Sequence, residues 1–246
     1  MYSFIIGING KKQSGKDTVA EMINYIFDYG SSRANYAHYL MSKEKYNHKN
    51  KDRIIHFADN LKNVLSIIYN IERKYLDSEQ YKDELWFELK SYSFFKKIDD
   101  TNNIVITNEV LNNESIKDII DKSGTKFVFI KLRTLLQYFG TDVIRKTFDD
   151  DIWIKSAMNN IIDTAIKRQV CIVPDIRFDN EFNRIKNITH NLIKSFTIKV
   201  VRNNKYNDNH ISEQGDFDTD FVIENNSNLL QLFYKVLSIC QSINKQ

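Results

Sequence analysis

Short apolar runs alternate along this chain with longer segments in which apolar residues recur at helical spacing. Residues 4–8, 170–173 and 196–201 are apolar runs of the length of a buried strand. Apolar residues between positions 19 and 27 recur three and four apart, which predicts an amphipathic helix. Strands that alternate with helices favour a mostly parallel sheet covered on both faces. The pattern therefore predicts an α/β fold of three layers.

Weaker patterns add further elements to this prediction. Residues 53–57 form another short strand-like run, and apolar positions from 61 to 68 predict a helix after it. The strand that begins at 170–173 is expected to end at Pro174-Asp175, which contains the only proline of the chain. Additional helices are predicted at 131–144, 153–166 and 229–243.

The segment from about residue 77 to 131 has no clear period. Trp86 and Phe94 lie among charged residues, and a β-rich run follows at 104–107. We interpret this segment as an insertion or small subdomain with helices and a hairpin. Because no repeat or linker divides the chain, residues 1–246 are expected to form a single domain that includes this insertion.

Composition and charge limit the classes of function. Of the 246 residues 42% are hydrophobic, which is enough for a packed core. The 35 basic and 32 acidic residues leave a net charge of only +3, without a long Lys/Arg block, so a nucleic-acid partner is not expected. No apolar run has the length of a membrane span, and the N-terminus lacks the basic region of a signal peptide. The sequence therefore predicts a soluble cytoplasmic protein.

The two cysteines support the same compartment. Cys171 and Cys240 lie far apart in apolar stretches, which predicts buried thiols in a reducing environment and not a disulfide or a metal site.

A glycine loop follows the first predicted strand. Gly10, Gly15 and Lys16 have the spacing G-x-x-x-x-G-K, between a predicted strand and a predicted helix. In such a loop the backbone N–H groups and the helix N-terminus bind phosphates, and the lysine reaches the β and γ phosphates. The segment from Gly10 to Thr18 is therefore predicted to bind ATP.

The loop departs from the usual motif at one position. Asp17 stands where a Ser or Thr normally binds Mg²⁺, and Thr18 follows it. We expect Asp17, Thr18 or intervening waters to hold the metal. A purely structural role for Asp17 also stays open, because a carboxylate at a helix start interacts favourably with the helix dipole.

Two polar residues of the helix predicted at 131–144 share a face. Arg133 and Gln137 are four positions apart, and Gly140, Thr141 and Asp142 follow. An arginine suits a phosphate and an amide suits a base edge. The alternative is an ordinary solvated helix face.

A second group of polar residues follows the strand at 170–173. Asp175 lies at the carboxyl end of this strand, where ligands bind in open parallel sheets, and Arg177 and Glu181 come next. Asp175 is a candidate for holding Mg²⁺ or its waters, and Arg177 for neutralising a transferred phosphoryl group. The alternative for Asp175 is a turn aspartate that caps a helix beginning near residue 178.

These residues together resemble the phage-type deoxynucleoside monophosphate kinases, a branch of the P-loop nucleoside monophosphate kinases. The resemblance runs in family order over nearly the whole chain, except from about 77 to 131. The matching segments are Gly-Lys-Asp-Thr at 15–18, His-Phe-Ala-Asp-Asn-Leu-Lys at 56–62, Leu-Leu-Gln-Tyr-Phe-Gly-Thr-Asp at 135–142, Asp-Ile-Trp at 151–153, Asp-Ile-Arg-Phe-Asp-Asn-Glu at 175–181, His-Ile-Ser-Glu at 210–213 and Val-Ile-Glu-Asn-Asn at 222–226.

The resemblance implies a P-loop NTPase-type fold and transfer of the γ-phosphoryl group of ATP, with Mg²⁺, to a deoxynucleoside 5′-monophosphate. It implies that Lys16, Asp17 and Thr18 handle the ATP phosphates and the metal, with Asp175 as a further metal residue, directly or through water. Catalysis would involve Lys16, Arg133, Asp175 and Arg177. The residues implied in binding the monophosphate are Lys62, Arg133, Gln137, Gly140, Thr141, Arg145, Trp153 and Glu181.

Some features of the resemblance concern substrate preference and closure. Asn60 stands where the family often has Pro, and Thr134 where it often has another basic residue. The polar tract that begins at Arg202 is a candidate lid over ATP, at about 202–220, or an ordinary surface loop. By family analogy alone, a homodimer is one option. For Trp153 the core is the alternative to a place in the monophosphate site.

The residues alone leave two other functions open. One is a P-loop kinase for another small acceptor, such as a nucleoside or a cofactor precursor. The other is a nucleotide-switched interaction protein, which would hydrolyse ATP slowly without an acceptor and bind a macromolecule. Polar residues at several strand ends favour an enzyme over the second alternative.

Overall fold

The computed structural model describes residues 2–46, 52–88, 93–95, 116–120, 126–203 and 217–245. It divides into two units, of which the first combines residues 1–58 and 153–246 and the second is the continuous segment 59–152. The described strands are β1 (Ser3–Asn9), β2 (Trp86–Glu88), β3 (Ser93–Phe95), β4 (Ile116–Ile120), β5 (Lys126–Lys131), β6 (Val170–Ile176), β7 (Ile193–Val201) and β8 (Phe221–Glu224). The described helices are α1 (Lys16–Tyr29), α2 (Tyr36–Tyr46), α3 (Ala58–Tyr69), α4 (Arg73–Asp77), α5 (Glu79–Glu84), α6 (Leu132–Gln137), a π-helix (Tyr138–Arg145), α7 (Ile152–Arg168), α8 (Asp179–Lys186) and α9 (Leu229–Asn244).

A parallel sheet with the strand order β6-β1-β7-β8 forms the centre of the first unit. Successive residues of a strand face opposite sides of the sheet, and β1 is apolar on both. Phe4, Ile6 and Ile8 pack in a core with residues of α1 and α9, whereas Ile5 packs in a second core with residues of α7 and α8. The predicted three-layer α/β fold of P-loop NTPases is confirmed.

The strand predicted at 170–173 is longer than expected, because β6 continues through Pro174 to Ile176. The register with β1 shifts at this point, so that Gly7 lies opposite Val173 but Asn9 lies opposite Ile176. An irregularity of this kind accommodates a proline, which has no N–H to pair. The strand predicted to end at Pro174-Asp175 therefore extends one residue further, to Ile176.

The strand predicted at 53–57 is reduced to a single bridge between Ile54 and Ile172. The N–H of Ile55 donates to the carbonyl of Ile172 at 2.9 Å. The backbone N–H of Phe57 donates instead to the Asp175 side chain, and α3 begins at Ala58. The chain therefore leaves the edge of the sheet after one bridge.

The second unit contains an antiparallel sheet with the strand order β3-β2-β5-β4. Its strands come from the segment for which helices and a hairpin were predicted. The β-rich run at 104–107 lies outside the described residues, and the proposed limits of an insertion at about 77–131 stay a prediction.

The single helix predicted at 131–144 takes a different form. Lys131 is the last residue of β5, α6 begins at Leu132, and the π-helix follows from Tyr138. Apolar periodicity does not distinguish α-helical from π-helical turns over so few residues. In α3, Leu61 and Leu65 are buried as predicted, but Ile68 is exposed although its spacing placed it on the same face.

Cys171 and Cys240 are both buried free thiols, as predicted. Burial raises the pKa of both, in the case of Cys171 to about 12. Both groups are therefore held as thiols at neutral pH. In the part of the chain that the structure describes, no helix combines the length and the apolar character needed to cross a membrane.

Candidate active site

The glycine loop runs from the end of β1 to the start of α1. A Cβ on Gly10 would lie 2.7 Å from the carbonyl oxygen of Val200, so only glycine fits there. Gly15 has a φ of +96° and lies at the N-cap position of α1. L-residues with a side chain rarely adopt this backbone conformation. Both positions of the predicted motif therefore require glycine, Gly10 because a Cβ would clash and Gly15 because of its φ.

Asn225 supports this loop from the end of β8. Its Nδ2 donates to the backbone carbonyl of Ser14 at 2.8 Å, and its own N–H donates to the carbonyl of Val201. A Cβ on Gly15 would lie 2.4 Å from the same Nδ2. Asn225 was part of the family resemblance, but no role was predicted for it. A polar residue directly after an apolar strand is the signal that points to it.

Lys16, Asp17 and Thr18 form the first turn of α1. The N–H groups of a helix N-terminus bind phosphate favourably, and Asp17 is the acidic residue of this turn. Within the described ranges, no group of three or more His, Cys, Asp or Glu side chains is gathered as a metal site.

The carboxyl ends of β1 and β6 lie side by side. Asn9, the last residue of β1, pairs with Ile176, and its Nδ2 donates to the carbonyl of Ile176 at 2.9 Å. Gly10 and Arg177 follow these paired residues directly. The structure thus brings the start of the glycine loop and the backbone of Arg177 to the same edge of the sheet.

Asp175 is buried and holds the start of α3. Its Oδ1 accepts from the N–H of Phe57 and its Oδ2 from the N–H of Ala58, both at 3.0 Å. The carboxylate therefore caps α3 and not a helix near residue 178, which was the structural alternative for it. Each oxygen keeps a further lone pair, so this geometry is compatible with the predicted contact to a metal-bound water.

Glu181 is buried at the start of α8. Its Oε2 accepts from the backbone N–H of Arg177 at 2.8 Å and from that of Phe178 at 3.2 Å. These are the N–H groups that a helix start leaves without intrahelical partners. Glu181, predicted to bind the monophosphate, thus fixes the backbone that carries Arg177.

Arg133 is held by two carboxylates of α5. Its Nη2 lies 2.8 Å from Glu79, and its Nε donates to Asp83. Partial burial lowers the pKa of Arg133, but the two carboxylates outweigh this and raise it above its ordinary value. Arg133 and Gln137 both lie in α6, four positions apart as predicted.

The other predicted residues of the second unit lie in α3 and the π-helix. Lys62 of α3 pairs with Asp77 at 2.9 Å. Gly140 is in the π-helix, where a Cβ would lie 2.6 Å from Leu61, and Thr141 is in the same turn region. Arg145 is buried, and its Nε donates to Asp150 at 2.9 Å.

Trp153 is buried near the start of α7 in the first unit. The residues predicted to bind the monophosphate are therefore divided between the two units. Arg202 follows β7, but residues 204–216 of the predicted lid, including His210, lie outside the described residues.

A parallel sheet whose first strand leads through a glycine loop into a helix N-terminus defines a P-loop protein of the NTPase class. Comparison with known proteins gives the family. A family model described as deoxynucleotide monophosphate kinase matches residues 4–236, so the chain belongs to this family of nucleoside monophosphate kinases.

Two phage enzymes are among its relatives. The deoxynucleoside-5′-monophosphate kinase of Escherichia phage T5 is 24% identical over 216 residues, which cover 81% of this chain and 78% of that enzyme. The deoxynucleotide monophosphate kinase of Enterobacteria phage T4 is 34% identical over 125 residues, which cover 49% of this chain and 48% of that enzyme. The resemblance that the sequence motifs predicted is confirmed.

Proposed function

We propose that the protein phosphorylates deoxynucleoside 5′-monophosphates to diphosphates, with ATP as donor and Mg²⁺ as cofactor. The observation that carries the donor assignment is the glycine loop, in which Gly10 and Gly15 each occupy a position that a side chain would block. Family membership carries the acceptor assignment.

On the donor side, Lys16 and the N–H groups of the loop and of α1 bind the ATP phosphates. Asp17 and Thr18 in the same turn, together with Asp175 through water, hold Mg²⁺. Bound there, the metal neutralises phosphate charge and orients the γ-phosphoryl group.

On the acceptor side, Arg133 and Lys62 bind the phosphate of the monophosphate, and Arg145 supports this group. Gln137 contacts the base edge. Gly140, Thr141 and Trp153 complete the binding of the nucleoside. Arg133 exchanges its carboxylate partners for the phosphate when the substrate binds.

The reaction needs no covalent enzyme intermediate. An oxygen of the acceptor phosphate attacks the γ-phosphorus in line as the bond to the β–γ bridging oxygen breaks, which releases ADP. Lys16 and Arg177 stabilise the charge on the transferred group, and Arg133 does so from the acceptor side. Glu181 contributes by fixing the backbone of Arg177.

Release of ADP in the presence of each of the four deoxynucleoside monophosphates tests this function. We expect turnover with at least one of them, and little ADP release without an acceptor. Ribonucleotides and unphosphorylated nucleosides serve as comparison substrates. Turnover of nucleosides but not of monophosphates would overturn the acceptor assignment.

Replacement of Lys16 or Arg177 by Ala tests the catalytic roles. Each change is expected to lower kcat by roughly 10²-fold or more, because a transition-state charge contact is lost. The exposed Lys167 and Arg184 give matched controls, Lys167→Ala and Arg184→Ala. Wild-type turnover in a folded Arg177→Ala protein would contradict its role.

The remaining expectations concern location and assembly. We place the enzyme in the cytoplasm. If it comes from a phage, as its two relatives do, this is the cytoplasm of the host. We keep small nucleotides as its partners, without nucleic acid or membrane. The homodimer stays a prediction from family analogy, which sedimentation of the purified protein tests.

A further inference from the structure

Three little-exposed cations of the second unit pair with carboxylates and act on one another through their charges. Lys62 and Asp77 are 2.9 Å apart, and Arg133 and Glu79 are 2.8 Å apart. Lys82 of α5 also contacts Glu79, so that one carboxylate serves two cations. We call this group the cluster; its little-exposed cations are Lys62, Lys82 and Arg133, and its carboxylates are Asp77, Glu79 and Asp83. Asp77 also pairs with Arg73, a more exposed cation whose side chain is 33% exposed.

The two signs of charge differ in their exposure to solvent. The side chains of Lys62 and Lys82 are each 12% exposed and that of Arg133 is 15% exposed. Their carboxylate partners are between 45% and 59% exposed. An ordinary surface pair of this chain, Lys167 with Asp163, is 72% and 63% exposed. The cluster therefore has its cations inside and its carboxylates on the solvent side.

The cations also act on one another. Burial lowers the pKa of Lys82, and the charges of Lys62 and Arg133 lower it further. Burial would raise the pKa of Glu79, but Lys82 and Arg133 lower it to about 2. Gathering like charges away from water is unfavourable unless anions compensate them. In the ligand-free protein the three exposed carboxylates do so.

A phosphate dianion matches such a cluster better than separate carboxylates do. It carries three terminal oxygens, each able to accept charge-assisted hydrogen bonds from lysine or arginine. Exposed carboxylates on flexible side chains can turn into solvent, where they lose little. The cations, which are more enclosed, would stay in place to receive the new anion.

We propose that Lys82 is a further phosphate-binding residue, which binds the phosphate of the acceptor nucleotide together with Lys62 and Arg133. Before the substrate binds, the carboxylates of Glu79 and Asp83 occupy the position of that phosphate. This inference rests on the proposed function and adds to it. The sequence pointed to Lys62 and Arg133, but Lys82 lies in the segment that showed no clear period.

Replacement of Lys82 by Met tests the binding role. The Kd of the best monophosphate substrate, measured by calorimetry, is expected to rise about tenfold, because one of three charge contacts is lost. The Kd of ATP is expected to stay unchanged. Lys82→Arg keeps the charge and should retain most of the affinity. Lys74→Met is the control, since Lys74 is exposed and its contacts are local, to Glu72 and the Tyr75 ring.

Replacement of Glu79 by Gln tests the place-holding role with the opposite sign. It removes the anion that competes with the phosphate, so the Kd of the monophosphate is expected to fall severalfold. A merely structural salt bridge would give an unchanged or higher Kd. Glu72→Gln, which removes a carboxylate outside the cluster, is expected to leave the Kd unchanged.

The results separate this inference from the function on which it rests. If the wild type binds the monophosphate and folded Lys82→Met binds it equally well, the role of Lys82 is wrong and the function stands. If Lys82→Met weakens ATP in place of the monophosphate, the cluster serves the donor and the inference is wrong. If the wild type binds no deoxynucleoside monophosphate, both proposals fail.

Discussion

Asn225 holds the glycine loop by a single hydrogen bond to the carbonyl of Ser14. Both residues are buried, so loss of the Asn225 donor would leave a buried carbonyl without this hydrogen bond, which is unfavourable. The bond directs this carbonyl towards Asn225.

Asn225→Asp, which keeps the shape but places an acceptor against this carbonyl, is expected to raise the KM for ATP about tenfold or more. The KM for the monophosphate should change little. Steady-state kinetics with each substrate varied in turn measures the difference. Asn183→Asp on the exposed surface of α8 is the control, and an equal rise in both KM values would argue against a specific role.

Substitution of two glycines with positive φ distinguishes the effect of backbone strain from the effect of steric conflict. Gly15 has a φ of +96° and lies against Asn225, whereas Gly30 has a φ of +83° and nothing within 4 Å of a built Cβ. Alanine at either position costs about 1 kcal/mol in the free energy of unfolding, because of the unfavourable φ.

Gly15→Ala is expected to weaken ATP binding as well, since the added Cβ displaces Asn225 or the loop. Gly30→Ala should bind ATP normally. Chemical unfolding and calorimetric titration of the two variants test this pair of expectations. Normal ATP affinity in Gly15→Ala would show that the loop tolerates the displacement.

At the scale of residues, the sequence predicted what depends on local spacing. Gly10 and Gly15 were found because the motif lies within nine residues. Asn225 had no predicted role, because the residue it supports is 211 positions away. Asp175 was placed correctly at a strand end, but its bonds to Phe57 and Ala58 depend on a chain segment whose strand was itself predicted wrongly.

At the scale of elements, ion pairs connect α5 with α6. Arg133 of α6 contacts Glu79 and Asp83 of α5, and these contacts depend on ionised carboxylates. Burial alone would raise the pKa of Glu79, but Lys82 and Arg133 lower it to about 2. The folded state therefore binds a proton at Glu79 less readily than the unfolded state does.

It follows that the contribution of Glu79 to stability is present in full above a pH of about 4.5 and is lost as the pH falls towards about 2. The size should be modest, since this carboxylate is more than half exposed. Urea unfolding of the wild type and of Glu79→Gln at pH 5 and pH 3 should show a smaller difference at pH 3. A difference that grows at pH 3 would contradict the sign.

Three strands of the parallel sheet, β1, β6 and β7, were predicted because their apolar runs are clear, whereas β8, which has only four residues, was not predicted. The prediction failed where an element is irregular. The end of β6 was predicted at Pro174-Asp175, one residue too early, because the sheet accommodates the proline through a shift in register. A π-helix cannot be told from an α-helix by the spacing of a few apolar residues. The small antiparallel sheet has strands of three to six residues, too short for a periodic signal.

At the scale of the whole molecule, the proposed donor residues belong to the first unit, whereas most of the proposed acceptor residues, Trp153 excepted, belong to the second. The glycine loop belongs to the first unit, and Lys62, Arg133 and Gln137 belong to the second. Protection of backbone amides from hydrogen exchange can follow each ligand separately.

Under this assignment, a non-hydrolysable ATP analogue is expected to slow exchange mainly in residues 10–19. A deoxynucleoside monophosphate should slow it mainly in α3 and α6. Mass-spectrometric hydrogen exchange with either ligand alone makes the comparison, and α9 serves as an internal control. Protection of α6 by the ATP analogue alone would contradict the division.

The parallel sheet also sets the order in which the chain can fold during its synthesis. The partners of β1 are β6 and β7, which begin at Val170 and Ile193. A ribosome that adds 5–20 residues per second needs roughly 10–40 s to reach the end of β7 after it has made β1. The strand that precedes the glycine loop has neither neighbour until β6 has been made, and it lacks β7 until the end of this interval. Under the proposed function, ATP would therefore stabilise the folded glycine loop only after most of the protein has been translated.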